Sequence, residues 1–130
     1  MTSPFNQFGF TADELAAFST GDCGYLALAL HEETGWDVVT ISPVEAAETD
    51  FWYHAGAVMP DGRILDIKGA WSEDEFYDLW DSETYEVGIF PRDIEWASRS
   101  VRLRAVKYPD FDAAVYAREI LDRIELLASV

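Results

Sequence analysis

The stretch from Phe51 to Lys68 reads FWYHAGAVMPDGRILDIK and decides how the chain around it is arranged. Two segments rich in apolar, aromatic and β-branched residues flank the turn-forming sequence PDG at 60–62. Proline at the first central turn position and glycine at the last are typical of a type I turn followed by a glycine bulge. We therefore predict two strands, Phe51–Met59 and Arg63–Lys68, joined by a three-residue loop.

The register of this hairpin brings two polar side chains together. With a three-residue loop, Met59 pairs with Arg63, and Gly56 then lies opposite Asp66. His54 and Asp66 share one face of the hairpin as diagonal neighbours about 7–8 Å apart. An imidazole–carboxylate hydrogen bond is within reach at that spacing, and the glycine leaves room for it. A loop one residue shorter or longer would put Asp66 on the opposite face.

The rest of the chain predicts an α+β fold, with helices packed on a small, mainly antiparallel sheet. Two capping pairs, Thr11 with Glu14 and Ser72 with Glu75, mark helix starts, and Gly35 marks a helix end. The predicted helices cover residues 12–19, 23–34, 111–128 and a segment that begins at Trp71, and the predicted strands outside the hairpin are Asp37–Ser42 and Ser100–Tyr108.

Composition and charge limit the classes of function. The chain has 130 residues, 49% of them hydrophobic, so we expect a single domain over residues 1–130. Twenty-five acidic residues outnumber nine basic ones, giving a formal net charge of −16. Nucleic-acid binding needs clustered basic residues and is therefore excluded, whereas a cationic or neutral partner fits. The sequence has neither a run long enough to span a membrane nor a basic segment followed by an apolar one, so we expect no membrane association and no signal peptide.

The single cysteine, Cys23, lies in the sequence GDCGY at 21–25, where a helix is predicted to begin. One cysteine excludes an internal disulfide, and a free thiol is typical of a reducing cytoplasm. Because the chain has only two histidines, we expect no Cys/His zinc site and predict no metal and no cofactor. A thiol at a helix start faces the positive end of the helix dipole, which favours the nucleophilic thiolate.

Three residues form the set that an activated thiol needs. Cys23 supplies a nucleophile, His54 a base, and Asp66 a carboxylate that orients the base. Each also has a plain structural explanation: a small buried cysteine, a histidine satisfied in the core, and an acid on the solvent face of a strand. The agreement of the three favours a site. The other histidine, His31, is predicted to be a surface or capping residue.

The order of these residues resembles the papain-like and transglutaminase-like cysteine enzymes, in which a cysteine at a helix start precedes a histidine in one strand and an acid in the next. The matching segments are GDCGYLALAL at 21–30, HAGAV at 54–58 and DGRILDIKG at 61–69. The resemblance covers about residues 20–70 and implies a small papain-like fold, with the nucleophile-bearing helix packed on the sheet. It also implies an acyl-enzyme reaction at a carbonyl or carboxamide, with Cys23 as nucleophile, His54 as general base and Asp66 as its orienting partner.

The chain departs from papain-type proteases near the cysteine. Those enzymes place a glutamine a few residues earlier, where its amide helps to hold the oxyanion, whereas residues 16–20 contain no amide. The nearest amides belong to Asn6 and Gln7, and these are the candidates for that role beside the backbone N–H of Cys23.

Size and aromatic content bear on the substrate. Tyr25, Trp52 and Trp71 are candidates for a substrate pocket, with core packing as the alternative for such aromatic residues. A chain of 130 residues lacks room for the second lobe of a long peptide cleft. We therefore predict a compact peptidase, deamidase, amidase or acyl transferase that acts on a protein or peptide substrate, and a substrate with a basic surface fits the charge best.

A second class of function explains the charge. A non-catalytic acidic binding protein could mimic the charge of nucleic acid and occupy a basic surface on its partner, as a phage-encoded inhibitor would. Either protein would act in the cytoplasm of a bacterium, or of the host cell if it is phage-encoded. Rapid alkylation of Cys23 at neutral pH would favour the enzyme, and a slow, buried thiol would favour the binding protein.

Overall fold

The computed structural model describes residues 6–20, 23–46, 52–80, 86–104 and 111–128. Within these residues the helices are α1 (Ala12–Thr20), α2 (Cys23–Thr34), α3 (Glu73–Trp80), α4 (Ile94–Arg104) and α5 (Ala113–Ala128). The strands are β1 (Val38–Pro43), β2 (His54–Val58), β3 (Ile64–Asp66), β4 (Gly69–Trp71) and β5 (Val87–Arg92), and a 3-10 turn at Val44–Ala46 follows β1. The strands lie in the order β4-β3-β2-β1-β5, and each described pair is antiparallel. The protein therefore has the predicted α+β fold.

The hairpin between β2 and β3 has the predicted register. Ala57 pairs with Leu65, and the N–H of Met59 donates to the carbonyl of Arg63 at 2.7 Å. Gly62 closes the loop with a φ of 91°, a left-handed conformation that favours glycine. The three-residue loop is thus confirmed, although both strands are shorter than predicted.

The helix ends also follow from local sequence. At the start of α1, the N–H of Thr11 donates to Glu14 Oε1 at 2.8 Å, and the N–H of Glu14 donates to Thr11 Oγ1 at 3.2 Å. Ser72 and Glu75 make the same reciprocal pair at the start of α3, at 2.9 and 3.2 Å. Gly35, with a φ of 78°, follows the last residue of α2, which has the predicted bounds.

Helices cover both faces of the sheet. On one face, Leu26 and Leu30 of α2 pack with Ala57 and Leu65 of the hairpin, and residues of α1 and α5 complete this core. On the other face, α3 contributes Phe76, which is fully buried. The hairpin therefore lies between two apolar layers, and a polar side chain on its α3 face is removed from water.

The predicted strand Ser100–Tyr108 is wrong. Its first part, up to Arg104, belongs to α4, and the remainder lies outside the described residues. The carbonyl of Asp93 accepts the N–H of Ala97 at 2.9 Å and starts this helix. The buried residues Ala97 and Val101 stand one helical turn apart. This helical spacing of buried residues begins at Ala97, before the alternating segment at 100–108, and it determines the structure of the segment up to Arg104.

Two strands were not predicted. β4 is three residues long and ends at Trp71, so α3 begins at Glu73, two residues later than predicted. β5 contains Gly88 and Pro91, residues that usually interrupt strands. It lies at the edge of the sheet, where a proline is tolerated because one side of the strand needs no ladder hydrogen bond.

Candidate active site

The candidate nucleophile and the candidate base each begin an element. Cys23 is the first residue of α2, and His54 is the first residue of β2. α2 runs alongside β2, and Cys23 and Ala27 pack in one cluster with Trp52 and Ala55. Because α2 and β2 begin at the same end of the packed helix and sheet, the side chains of Cys23 and His54 approach each other at that end.

Gly24 allows the start of α2 to pack this closely. A Cβ atom added at Gly24 would lie 2.5 Å from Val101 Cγ2 of α4 and 3.0 Å from the ring of Trp52. Both distances are shorter than a van der Waals contact, so a larger residue would push α4 or the indole away from the cysteine.

His54 and Asp66 form the hydrogen bond that the hairpin register predicts. His54 Nε2 lies 3.0 Å from Asp66 Oδ2. His54 is 0% exposed and Asp66 is 2% exposed. Gly56 lies two residues after His54 on β2 and opposite Asp66 on β3. A Cβ atom at Gly56 would stand 2.7 Å from Ile64 Cγ2. The glycine therefore keeps the space beside the pair free for the surrounding side chains.

Asp66 is surrounded by donors. Its Oδ1 accepts the N–H groups of Lys68 at 2.9 Å and Gly69 at 3.1 Å, and the indole Nε1–H of Trp71 at 3.0 Å. Three N–H groups on Oδ1 fix the orientation of the carboxylate and leave Oδ2 facing His54. A carboxylate held in this way orients an imidazole whose Nε2 carries the hydrogen.

Cys23 completes the set. Burial by itself lowers the pKa of His54, but the charge of Cys23, hydrogen bonds to Asp66 and Cys23, and the charge of Asp66 together raise it to about 9. Since Nε2 is bonded to Asp66, the interaction with Cys23 uses Nδ1. At neutral pH this imidazole is therefore protonated, and a protonated imidazole beside a thiol is the partner that a catalytic thiolate needs.

The surroundings of the imidazole are apolar. The ring of Phe76 from α3 lies 5.7 Å from the imidazole, centroid to centroid. Cys23 is only 4% exposed. Exclusion of water strengthens electrostatic interactions inside such a site.

The two candidate oxyanion amides have other partners in this structure. Asn6 Oδ1 accepts the N–H groups of Gly9 and Phe10, both at 3.1 Å, and Asn6 Nδ2 donates to the Phe10 carbonyl at 2.9 Å. Gln7 Oε1 accepts the N–H of Ala70 at 2.9 Å. Asn6 thus closes its own loop, and the carbonyl end of the Gln7 amide points to the turn after β3. Their role toward an oxyanion stays a prediction.

Two of the three candidate pocket residues are buried side chains that support the site. Trp52 and Trp71 are 6% and 5% exposed. Trp52 Nε1 donates to Ser100 Oγ at 2.7 Å, and Trp71 Nε1 donates to Asp66. Tyr25 is half-buried and packs against the cluster around Cys23. For the tryptophans, the core-packing alternative describes their position.

The sequence analysis missed the role of Trp71 as a donor to Asp66. Trp71 pairs with Ile64 across β3 and β4, which places it on the face that carries Asp66. Gly69, the first residue of this three-residue strand, is the only local signal for that short hairpin, and it is too weak to fix the register.

Two surface cavities lie away from the three residues. One, of about 290 Å³, is on the outer side of α4 and is lined by Ile94, Glu95, Ser98, Arg99 and Arg102. The other, of about 420 Å³, lies between α1 and α5 and is lined by Phe10, Glu14, Asp112, Val115, Tyr116, Glu119 and Arg123. In the described part of the chain, no cluster of three or more histidine, cysteine or acidic side chains could hold a metal ion. The helices described here are all too short or too polar to cross a membrane.

Comparison with protein families, with curated proteins and with solved structures found no match to this chain. The resemblance to papain-like and transglutaminase-like enzymes therefore rests on the order and geometry of the residues themselves.

Proposed function

We propose that the protein is a small papain-like thiol enzyme that acts on an amide or related acyl bond through Cys23, His54 and Asp66. The observation that supports this most strongly is the fully buried imidazole of His54, which interacts with a buried carboxylate and with the only thiol of the chain. Burying a histidine and an aspartate together costs free energy that a purely structural site could avoid with apolar residues.

The proposed reaction follows from the positions of these groups. The thiol of Cys23 gives its proton to His54 Nδ1, and the sulfur attacks the carbonyl carbon, so that a carbon–sulfur bond forms. The imidazolium then protonates the leaving nitrogen as the carbon–nitrogen bond breaks. Water, or another nucleophile in a transferase, attacks the acyl-enzyme after losing its proton to His54, and the thiol is released. Asp66 keeps its charge throughout and orients the imidazole.

Burial of the sulfur supports a small or terminal acyl group as the substrate. A cysteine that is 4% exposed suits a carboxamide at the end of a side chain, or a narrow peptide, better than a long peptide laid in a cleft. The net charge of −16 supports a protein or peptide with a basic surface. The free thiol supports a cytoplasmic location.

The test is mass spectrometry of a panel of basic, glutamine-containing peptides and proteins after incubation with the wild type and with Cys23→Ala. Replacement of an amide by an acid would identify a deamidase, a cut would identify a peptidase, and a covalent adduct would identify a transferase. Each change should be absent with Cys23→Ala and with His54→Ala. If a broad panel is unchanged and Cys23 is alkylated as slowly as a buried core thiol, the proposal is wrong.

The charge supports a second candidate, a non-catalytic acidic binding protein. Among the described residues, Asp61, Glu33 and Glu119 form surface ion pairs with arginines. The chain as a whole has 25 acidic residues and nine basic ones, so the basic residues are too few to neutralise the acids. A binding protein of this kind should hold a basic partner equally well as wild type and as Cys23→Ala, with affinity that falls steeply as salt is added.

A further inference from the structure

The turn between β3 and β4 carries two of the donors that hold Asp66. The backbone N–H groups of Lys68 and Gly69 both point to Asp66 Oδ1. β3 and β4 are three residues long each, and β4 is an edge strand in the described sheet. A ladder this short holds a turn weakly, because each strand contributes few hydrogen bonds and, among the described strands, β4 is paired on one side only.

Gln7 occupies the outer side of this turn. Its backbone N–H donates to the carbonyl of Lys68 at 2.7 Å, and its side-chain Oε1 accepts the N–H of Ala70 at 2.9 Å. Gln7 thus donates to Lys68 and accepts from Ala70, two residues further along the chain. A residue in a β-ladder bonds its neighbour strand in the same way, except that the acceptor here is a side-chain carbonyl and not a backbone carbonyl. The same side chain also lies against Gly69, where an added Cβ atom would stand 2.4 Å from Gln7 Cδ.

We propose that Gln7 is a positioning residue of the thiol site: it clamps the turn on both sides of Gly69 and thereby holds Asp66 Oδ2 toward His54. The inference rests on the proposed function. It differs from the oxyanion role that the sequence suggested for this residue, because it uses the carbonyl of the amide, bonded to Ala70, whereas an oxyanion would need the NH₂ group. A side chain at position 69 would also collide with Gln7, and the φ of Gly69, 158°, by itself disfavours other residues there.

The pKa of His54 is a measure of this role, because it depends on the hydrogen bond and the charge that Asp66 presents to the imidazole. The groups that act on it are Cys23 from α2 and Asp66 from β3, and α3 presents the uncharged Phe76. If the turn loosens, Asp66 leaves its position, and its charge and hydrogen bond no longer favour the protonated ring. A merely structural role for Gln7 would change the melting temperature and leave this titration where it is.

The experiment compares Gln7→Met, which keeps the length of the side chain and removes the acceptor, with Gln7→Glu, which keeps an acceptor oxygen. Nuclear magnetic resonance follows the ring protons of His54 against pH, and alkylation of Cys23 is measured on the same samples. We expect His54 to bind its proton about tenfold more weakly in Gln7→Met, a fall of about one in pKa. Gln7→Glu should restore the wild-type titration or exceed it.

Arg123→Gln is the matched control. Arg123 Nη1 donates to the carbonyl of Phe8, so this substitution loosens the same segment one residue beyond Gln7 without touching the turn. It should lower the melting temperature and leave the titration of His54 unchanged. If Gln7→Met fails to fold, Gln7→Leu takes its place, because it also removes the acceptor that holds Ala70, and it should weaken proton binding by His54 in the same way.

An unchanged titration of His54 in Gln7→Met or Gln7→Leu would overturn the positioning role. A loss of turnover in Gln7→Met with that titration unchanged would overturn it too, and would return Gln7 to the oxyanion. The proposed function is tested apart from this by His54→Ala. If His54→Ala slows alkylation of Cys23 while Gln7→Met behaves as wild type, the enzyme proposal stands and the role of Gln7 is wrong.

Discussion

Two carboxylates in this protein each join two elements of the fold by accepting a hydrogen bond from a titratable aromatic side chain. Asp66 of β3 accepts from His54 of β2, and Glu14 of α1 accepts from Tyr116 of α5. Asp66 is 2% exposed, whereas Glu14 and Tyr116 are half-buried beside a surface cavity. The two pairs look alike as contacts, but they differ in what their protons can do.

The difference lies in the range of pH in which each ring titrates. Burial and the hydrogen bond to Glu14 raise the pKa of Tyr116 to about 12. Its hydroxyl therefore stays protonated at ordinary pH, and the contact is a structural hydrogen bond between α1 and α5. The influence of Cys23 and Asp66 raises the pKa of His54 to about 9 in spite of burial, so its proton can move at ordinary pH. A buried acid–ring pair becomes a candidate for catalysis only when a third, nucleophilic group shares the ring.

The largest expected effect is that of His54→Ala. Without the imidazole, the thiol of Cys23 has no base, so turnover should fall by about 10²- to 10⁴-fold. Alkylation of Cys23 at neutral pH should fall by about tenfold or more, because an ordinary thiol is only a few per cent ionised there. The measurement is the rate of iodoacetamide labelling, followed by mass spectrometry.

His31→Ala is the control for this substitution. His31 lies in the same helix as Cys23, and its Nδ1 is bonded to the carbonyl of Trp36 at 2.7 Å, at the far end of α2. Labelling of Cys23 should proceed at the wild-type rate in this variant. If Cys23 is labelled at the same rate in His54→Ala and in wild type, His54 has a structural role only, as Tyr116 does.

The second effect is on stability against pH. The pKa of His54 is about 9 in the folded chain and 6.5 as a reference, so the folded state binds this proton more tightly. The stabilisation is complete below about pH 6.5 and is lost as the pH rises through about 9, and it amounts to about 3 kcal/mol at most. Urea unfolding of wild type and Cys23→Ala at several pH values measures it. Cys23→Ala should lose less stability across this window, since the charge that raises the pKa of His54 is gone, and parallel losses would contradict the coupling.

The hairpin and its polar pair could be predicted because their signals are local. The sequence PDG at 60–62 determines the loop length, the loop length determines the register, and the register places His54 diagonal to Asp66. The start of α2 at Cys23 could be predicted in the same way, from the chain break before it and Gly35 after it. These features depend on neighbours within a few residues.

The support of the site could not be predicted, because its contacts are distant in sequence or its elements are very short. Gln7 meets Ala70 across 63 residues, and no local pattern announces that contact. β4 has three residues, fewer than a period-two pattern needs to be recognised. In α4 the alternation after Ser100 imitates a strand, and only the longer stripe from Ile94 shows the helix.

The third effect, that of Asp66→Asn, follows from the donors around the carboxylate. Three N–H groups surround Oδ1, so the carbonyl of an asparagine must stay there and its NH₂ group must face His54. The imidazole then accepts at Nε2 and carries its hydrogen on Nδ1, toward the thiol, where it can no longer take the thiol proton. We expect alkylation of Cys23 to slow by about tenfold and the pKa of His54 to fall.

Asp61→Asn makes the same chemical change at the exposed loop of the same hairpin, where Asp61 pairs with Arg63 at 2.8 Å. Labelling of Cys23 should be unaffected there. If Asp66→Asn also labels at the wild-type rate, Asp66 serves the fold and not the imidazole.

The smallest effect should be that of Tyr116→Phe, and it concerns the other side of the comparison. The substitution removes the hydroxyl that donates to Glu14 and keeps the ring, which lies 4.9 Å from Phe18 and 5.7 Å from Phe10 by their centroids. Glu14 retains its capping bond to Thr11 and gains water at its half-buried oxygen. The free energy of unfolding should therefore fall by about 1 kcal/mol, the usual net contribution of one hydrogen bond.

Labelling of Cys23 and titration of His54 should not change in Tyr116→Phe, because the pair of Tyr116 and Glu14 moves no proton below about pH 12. Urea unfolding and labelling on one preparation measure both, and a slower thiol in Tyr116→Phe would show that the two pairs are coupled through α1 and α2, against the separation argued here.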